Sequence, residues 1–143
     1  MTDPTYDNYS IIPFNDLTRV LLLREEASWT LPRHQGDTAQ EINAAMLEQL
    51  GLTTTVLSCV YDRYQDAERE DQHRVYALEN HSPHVPLPAN GRLVERAELE
   101  SLPLAVADHR GVLEAWFAEA ESAEPFRKRL LWMRPGWFAV ATA

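Results

Sequence analysis

Val20-Leu21-Leu22-Leu23-Arg24 runs through Ser28-Trp29-Thr30-Leu31-Pro32 into a segment ending Glu48-Gln49-Leu50-Gly51-Leu52, and this order of elements decides the fold. The first piece is apolar, β-branched at its start and bounded by charge at Glu25-Glu26, so it reads as a strand. Trp29-Thr30-Leu31 alternates as well. Gly36-Asp37-Thr38 breaks the pattern, and Thr38-Ala39-Gln40-Glu41 has the form of a capping box, a hydroxyl at the N-cap and a glutamate at N3. A helix from Thr38 to Leu50 follows. Ile42, Ala45, Met46, Gln49 and Leu50 recur at helical spacing and predict its buried stripe, Gly51 supplies the C-cap, and Glu41, Ala44 and Glu48 fall on the outer face.

Outward from this centre, residues 1–10 read as a polar lead and Ile11-Ile12-Pro13-Phe14 as a short strand. Thr53 to Tyr64 and Arg74 to Leu78 are strand-like and should pair antiparallel, joined by the polar loop Gln65 to Gln72. Pro83, Pro86, Pro88 and Asn90-Gly91 make Asn80 to Gly91 a loop. Arg92-Leu93-Val94 predicts a last strand, Glu95 to Leu102 a short helix, and Asp108 to Glu121 an amphipathic helix with Val112, Leu113, Trp116, Phe117 and Ala120 on the side that covers the sheet. The tail, residues 125–143, mixes Arg127, Lys128, Arg129 and Arg134 with Leu130, Leu131, Trp132, Trp137 and Phe138, and is expected to dock on the acidic body.

At 143 residues the chain suits one domain. It holds 13 basic and 22 acidic side chains, a net charge of -9, which repels nucleic acid and favours a small-molecule or protein partner. No apolar run approaches the roughly 20 residues of a membrane span, and the first residues lack the basic and apolar regions of a signal peptide, so a cytoplasmic location is expected. Cys59 is the only cysteine, which excludes an internal disulfide and a multi-cysteine zinc site; its apolar setting reads as a core strand position. His81-Ser82-Pro83-His84 reads as a surface loop and the acids Asp62, Asp66, Glu68, Glu70 and Asp71 as a solvated run.

The strand, the Leu31-Pro32 turn and the helix ending Gly51-Leu52 resemble a Nudix domain, whose signature is written G-x5-E-x7-R-E-U-x-E-E-x-G-U, U being aliphatic, usually after a Leu-Pro-Gly-Gly turn. Setting the final G-U on Gly51-Leu52 puts the paired acids at Glu48 and Gln49, U at Met46 and the R-E pair at Ala44 and Ala45. One of three carboxylates remains. Arg33-His34 stands where the two glycines would, and the loop is about four residues shorter than the family form. The resemblance implies an α/β/α sandwich with a mixed β-sheet between helices. It also implies magnesium or manganese on helix carboxylates, bridging a diphosphate that water attacks.

Such hard cations want several converging oxygens, for magnesium at about 2.1 Å. Glu48 is the candidate catalytic and metal-binding acid, with Glu41 as its metal-binding companion. Seven residues of helix separate their backbones by roughly 10 Å, too far to chelate one ion readily. Glu41 is further expected to be occupied by the Thr38 backbone amide. Arg33 and His34 are the candidate ligand-binding pair, through charge-assisted hydrogen bonds to an anion. The sequence therefore reads first as a Nudix-fold domain with a degenerate box, binding a small nucleotide-like or anionic ligand or a protein partner without hydrolysis. A metal-dependent hydrolase of nucleoside diphosphate-linked compounds is the alternative, and a homodimer through the aromatic tail the third reading.

Overall fold

The strand that centres the sequence is fully buried at three successive positions of its apolar run. Val20, Leu21 and Leu22 of β3 (Arg19–Glu25) have no exposed surface. Successive strand side chains face opposite sides, so such a run needs cover on both faces. In the computed structural model, which describes residues 5–63 and 71–122, two helices provide it. Val20 and Leu22 join the cluster holding Leu113 and Phe117 of α2 (Asp108–Ser122), while Leu21 joins the cluster holding Ile42 and Met46 of α1 (Ala39–Leu50). The architecture is an α/β/α sandwich.

Among the described residues the strand layer holds the mixed sheet that the sequence suggested, with four strands, and a second, antiparallel sheet of four. In the mixed sheet β1 (Thr5–Ile11) runs parallel to β7 (Asp71–Asn80), with β5 (Arg33–His34) antiparallel on β1 and β6 (Thr54–Arg63) antiparallel on β7. In the antiparallel sheet β3 pairs with β2 (Pro13–Phe14), β4 (Ser28–Thr30) and β8 (Gly91–Glu95). The chain changes sheets at Ile12-Pro13. Proline has no amide to donate, so the β7 ladder ends at Ile11, and Ile12 instead accepts from the Leu21 amide at 3.1 Å. Each core cluster contains residues of both sheets.

Residues Thr5 to Ser10 are strand, not lead, and sit between β5 and β7. Their polarity disguises them because Asn8 and Ser10 are buried polar residues, each bonded to the segment 34–36. Tyr9 and Ile11 alternate with them into the α2-side core. β7 likewise starts at Asp71, earlier than its apolar run, and the predicted helix over Glu95 to Leu102 is only a 3-10 turn, Arg96–Glu98. Residues 64–70, with Asp66, Glu68 and Glu70, and the tail 125–143 lie outside the described residues. No helix among those described is long and apolar enough to cross a membrane.

Helix α1 begins as its sequence dictates: the Thr38 hydroxyl accepts from the Glu41 amide at 3.1 Å. The Glu41 carboxylate accepts a hydrogen bond from the Thr38 hydroxyl at 2.9 Å in place of the backbone amide expected of it. Gly36 packs so closely on the Glu41 side chain that a Cβ there would collide with it. Gly51 ends the helix at φ 70°, donating to Leu47 O at 2.9 Å. Ile42 and Met46 form the buried stripe with Ala45 and Leu50 against it, whereas Gln49 is exposed: an amide without a partner in this core is better hydrated. Cys59 is exposed too, not core, because two register shifts bulge edge strand β6 on either side of it.

Leu22→Ala leaves a cavity under α2 and is expected to cost about 2–5 kcal/mol, whereas Thr38→Ala should cost about 1 kcal/mol. Urea denaturation followed by circular dichroism reads both.

Candidate functional site

The register of the mixed sheet sorts the candidate residues by face. Asn8 lies opposite His34 and Arg74, and Arg74 opposite Asp62. Residues opposed in register share a face, so His34, Asn8, Arg74 and Asp62 form one row on the α1 side. Tyr9 lies opposite Arg33 and Val75, and Tyr9 and Val75 belong to the α2-side core. Arg33 and His34, expected to act as a pair, therefore point to opposite faces of the layer. The exposed Arg33 lies at the β5 edge.

His34 is 3% exposed and both ring nitrogens are engaged. Its Nδ1 is 3.0 Å from Gly36 O, which can only accept, so Nδ1 carries the proton. Its Nε2 is 2.7 Å from Ser10 Oγ. Desolvation pulls the imidazole pKa below its ordinary value, against the raising effect of the Gly36 and Tyr9 backbone hydrogen bonds, so the ring is neutral and Nε2 accepts from the serine. Asn8 Nδ2 adds bonds to Gln35 O and Gly36 O at 3.2 and 3.3 Å. Together they fasten the turn that introduces α1.

On α1, Glu48 and Glu41 are both exposed. Ala44 and Ala45 offer no side-chain oxygen, and Gln49 offers only an amide. Among the described residues no three His, Cys, Asp or Glu side chains come close enough together to hold a metal ion. Among the described residues this donor set does not offer the several converging carboxylate or water oxygens that magnesium or manganese wants.

The polar group that the sequence did not single out is Arg74. Its guanidinium is half-buried between two carboxylates, Asp62 and Asp37, each at 3.5 Å. The buried Nε of Arg74 makes no hydrogen bond, and the Tyr76 hydroxyl donates nearby to Asp37 O at 3.4 Å. The period of two in Arg74-Val75-Tyr76 was the available signal: it puts Arg74 and Tyr76 on one face. Beyond the opposite face, an open groove of about 550 Å³ runs between β6 and α2, lined among others by Val60, Tyr61, Asp108, Val112, Trp116 and Glu119. The Tyr61 hydroxyl donates to Asp108 Oδ2 at 3.0 Å across its end.

No protein-family model and no curated protein sequence matches the chain. Solved structures do resemble it. A Nudix hydrolase from Nitrosomonas europaea superposes with TM-score 0.65 at 14% identity over 87% of this chain and 76% of that one. An ADP-ribose pyrophosphatase from Streptococcus suis gives 0.61 at 17% over 85% and 94%, and the ORF135 protein of E. coli 0.59 at 22% over 84% and 92%. A candidate oxidoreductase from Sinorhizobium meliloti gives 0.60 at 19% over 85% of this chain, which spans only 41% of that longer one. At these identities the likeness establishes a Nudix-superfamily fold.

Ser10→Ala strips the partner from a buried imidazole nitrogen and should cost roughly 1–3 kcal/mol, the penalty for an unsatisfied buried acceptor. The loss would appear as a lowered thermal midpoint at neutral pH.

Proposed function

From a Nudix-type fold whose α1 helix is poor in converging oxygens, we propose that this domain binds a small anionic, nucleotide-like ligand without hydrolysing it. The ligand lies on the α1 side of the mixed sheet, against Arg74. The observation that carries the reading is the state of α1: Glu41 is bonded to the Thr38 hydroxyl, Glu48 is alone among the signature positions in carrying a carboxylate, and no metal-holding group of acids forms among the described residues. Diphosphate hydrolysis at neutral pH calls for positive charge close to the phosphoryl oxygens as water attacks. Binding needs less, and a planar guanidinium matches phosphate oxygens in pairs.

Asp37 and Asp62 already neutralise Arg74, so an incoming phosphate competes with both for the same cation. Competition lowers affinity and selects ligands that bring further contacts, such as a base or sugar over the sheet. Arg33, on the other face, takes no part in this site; His34 serves it by holding the 34–36 turn.

Thermal shift with a panel of nucleoside diphosphate-linked compounds, with and without millimolar Mg²⁺ or Mn²⁺, tests the reading. A ligand at a hundredfold its Kd should add about 2.7 kcal/mol of stability, with no release of phosphate or monophosphate. Arg74→Gln should remove the shift and Glu48→Gln should leave it. Metal-dependent turnover that Glu48→Gln abolishes would establish the hydrolase and end the binding-only reading.

A further inference from the structure

Helix α2 meets the mixed sheet through two imidazoles. His73 of β7 and His109 of α2 place their Nε2 atoms 2.7 Å apart, in T-shaped contact with ring centroids separated by 4.7 Å. At that distance one nitrogen donates and the other accepts. An imidazolium has no lone pair, so the pair accommodates at most one positive charge; a second proton would set two N–H groups and two like charges against each other. His109 is 1% exposed, which denies water access to relieve such a conflict.

The surroundings come from four elements. From β1, the Tyr9 ring lies 4.5 Å from His109, edge-on, and 5.0 Å from His73. From β6, the Tyr61 ring lies 5.5 Å from His73. From α2, Asp108 is the acid facing His109, and it accepts the Tyr61 hydroxyl. On β7 itself, the His73 backbone is in register with Asp7 of β1 and Arg63 of β6. The aromatic walls exclude water, and the Asp108 carboxylate offsets only part of the cost of burying a charge on His109.

We propose that His73 and His109 form an acid-sensitive clamp, which fixes the first turn of α2 to the mixed sheet and releases that turn when the second imidazole takes up a proton. The release also reshapes the groove between β6 and α2, because Asp108 and Tyr61 bound its end beside the clamp.

The direction in pH follows from linkage. Burial, then the proximity of His73, pull the His109 pKa from the ordinary 6.5 down to about 4, with Asp108 opposing. An exposed histidine protonates near pH 6.5. Between these values the released turn binds a proton that the clamped one refuses, so the clamp is at full strength above pH 6.5 and weakens as pH falls towards 4. The weakening amounts to roughly a hundredfold in the closed-to-open ratio, at a factor of ten per pKa unit.

Imidazole titration by NMR, together with hydrogen exchange of α1 and α2 amides expressed as protection factors, decides the matter. His109 should stay neutral down to about pH 4, and α2 protection should fall roughly a hundredfold relative to α1 between pH 7 and pH 4. His109→Gln, which keeps an amide in place of the ring, should flatten that dependence; His73→Gln should flatten it in part. Independent titration of both rings near pH 6.5, or parallel loss of protection in the two helices of the wild-type protein, would overturn the clamp; the wild-type data suffice if a variant does not fold.

Discussion

Each strand of the central layer must place alternate side chains under two different helices, and this period of two governs the rest of the molecule. It explains why Val20, Leu21 and Leu22 can all be buried, and why the core divides into one cluster under α1 and another under α2. It also parts Arg33 from His34, groups Arg74 with Asp62, and turns His73 towards His109. A slip of one residue in β7 would exchange these sets, exposing Val75 and Ala77 to α1 and driving the Arg74 cation into the apolar side.

What the sequence disclosed was whatever local chemistry determines. The apolar run of β3, the Thr38 cap, the αL glycine at Gly51 and the stripe of α2 each depend on neighbours within a few residues, and they stand in the structure as read. What it concealed depends on distant partners. β1 passes for a polar lead because Asn8 and Ser10 are satisfied by residues 24 to 28 positions further along. His109 draws no notice in the sequence because its partner, His73, is 36 positions away. Cys59 reads as core only while its strand is assumed regular; the bulges in β6 undo that. The candidate site was legible in residue types but not in direction: Arg33-His34 offers a cation and an imidazole side by side, and only strand pairing shows that they diverge.

The residues that dock α1 and the positions set against the signature's acids overlap only at Ala45. Ile42 and Met46 hold the helix to the sheet, and neither is an acid position of the signature. Ala45, which is one, packs partly against the core, where an alanine suits the helix better than a carboxylate would. Ala at 45 and Gln at 49 are thus compatible with the stripe that α1 uses to dock. Stability therefore sets little demand for charge at these positions, and the sandwich by itself says little about hydrolysis.

Two buried imidazoles serve the two faces, and they differ in what a proton would do to them. His34 is bonded to a serine hydroxyl and a backbone carbonyl. If the ring were protonated, Ser10 could rotate to accept from Nε2, since a hydroxyl both donates and accepts. The α1 face can therefore absorb a charge by turning one O–H bond, with desolvation as the remaining cost. His109 faces another imidazole, and once both rings are protonated neither nitrogen can reverse its role. Acid consequently strains the α2 face before the α1 face, although burial depresses both histidines, because a titrating partner loses its lone pair at the moment it is needed.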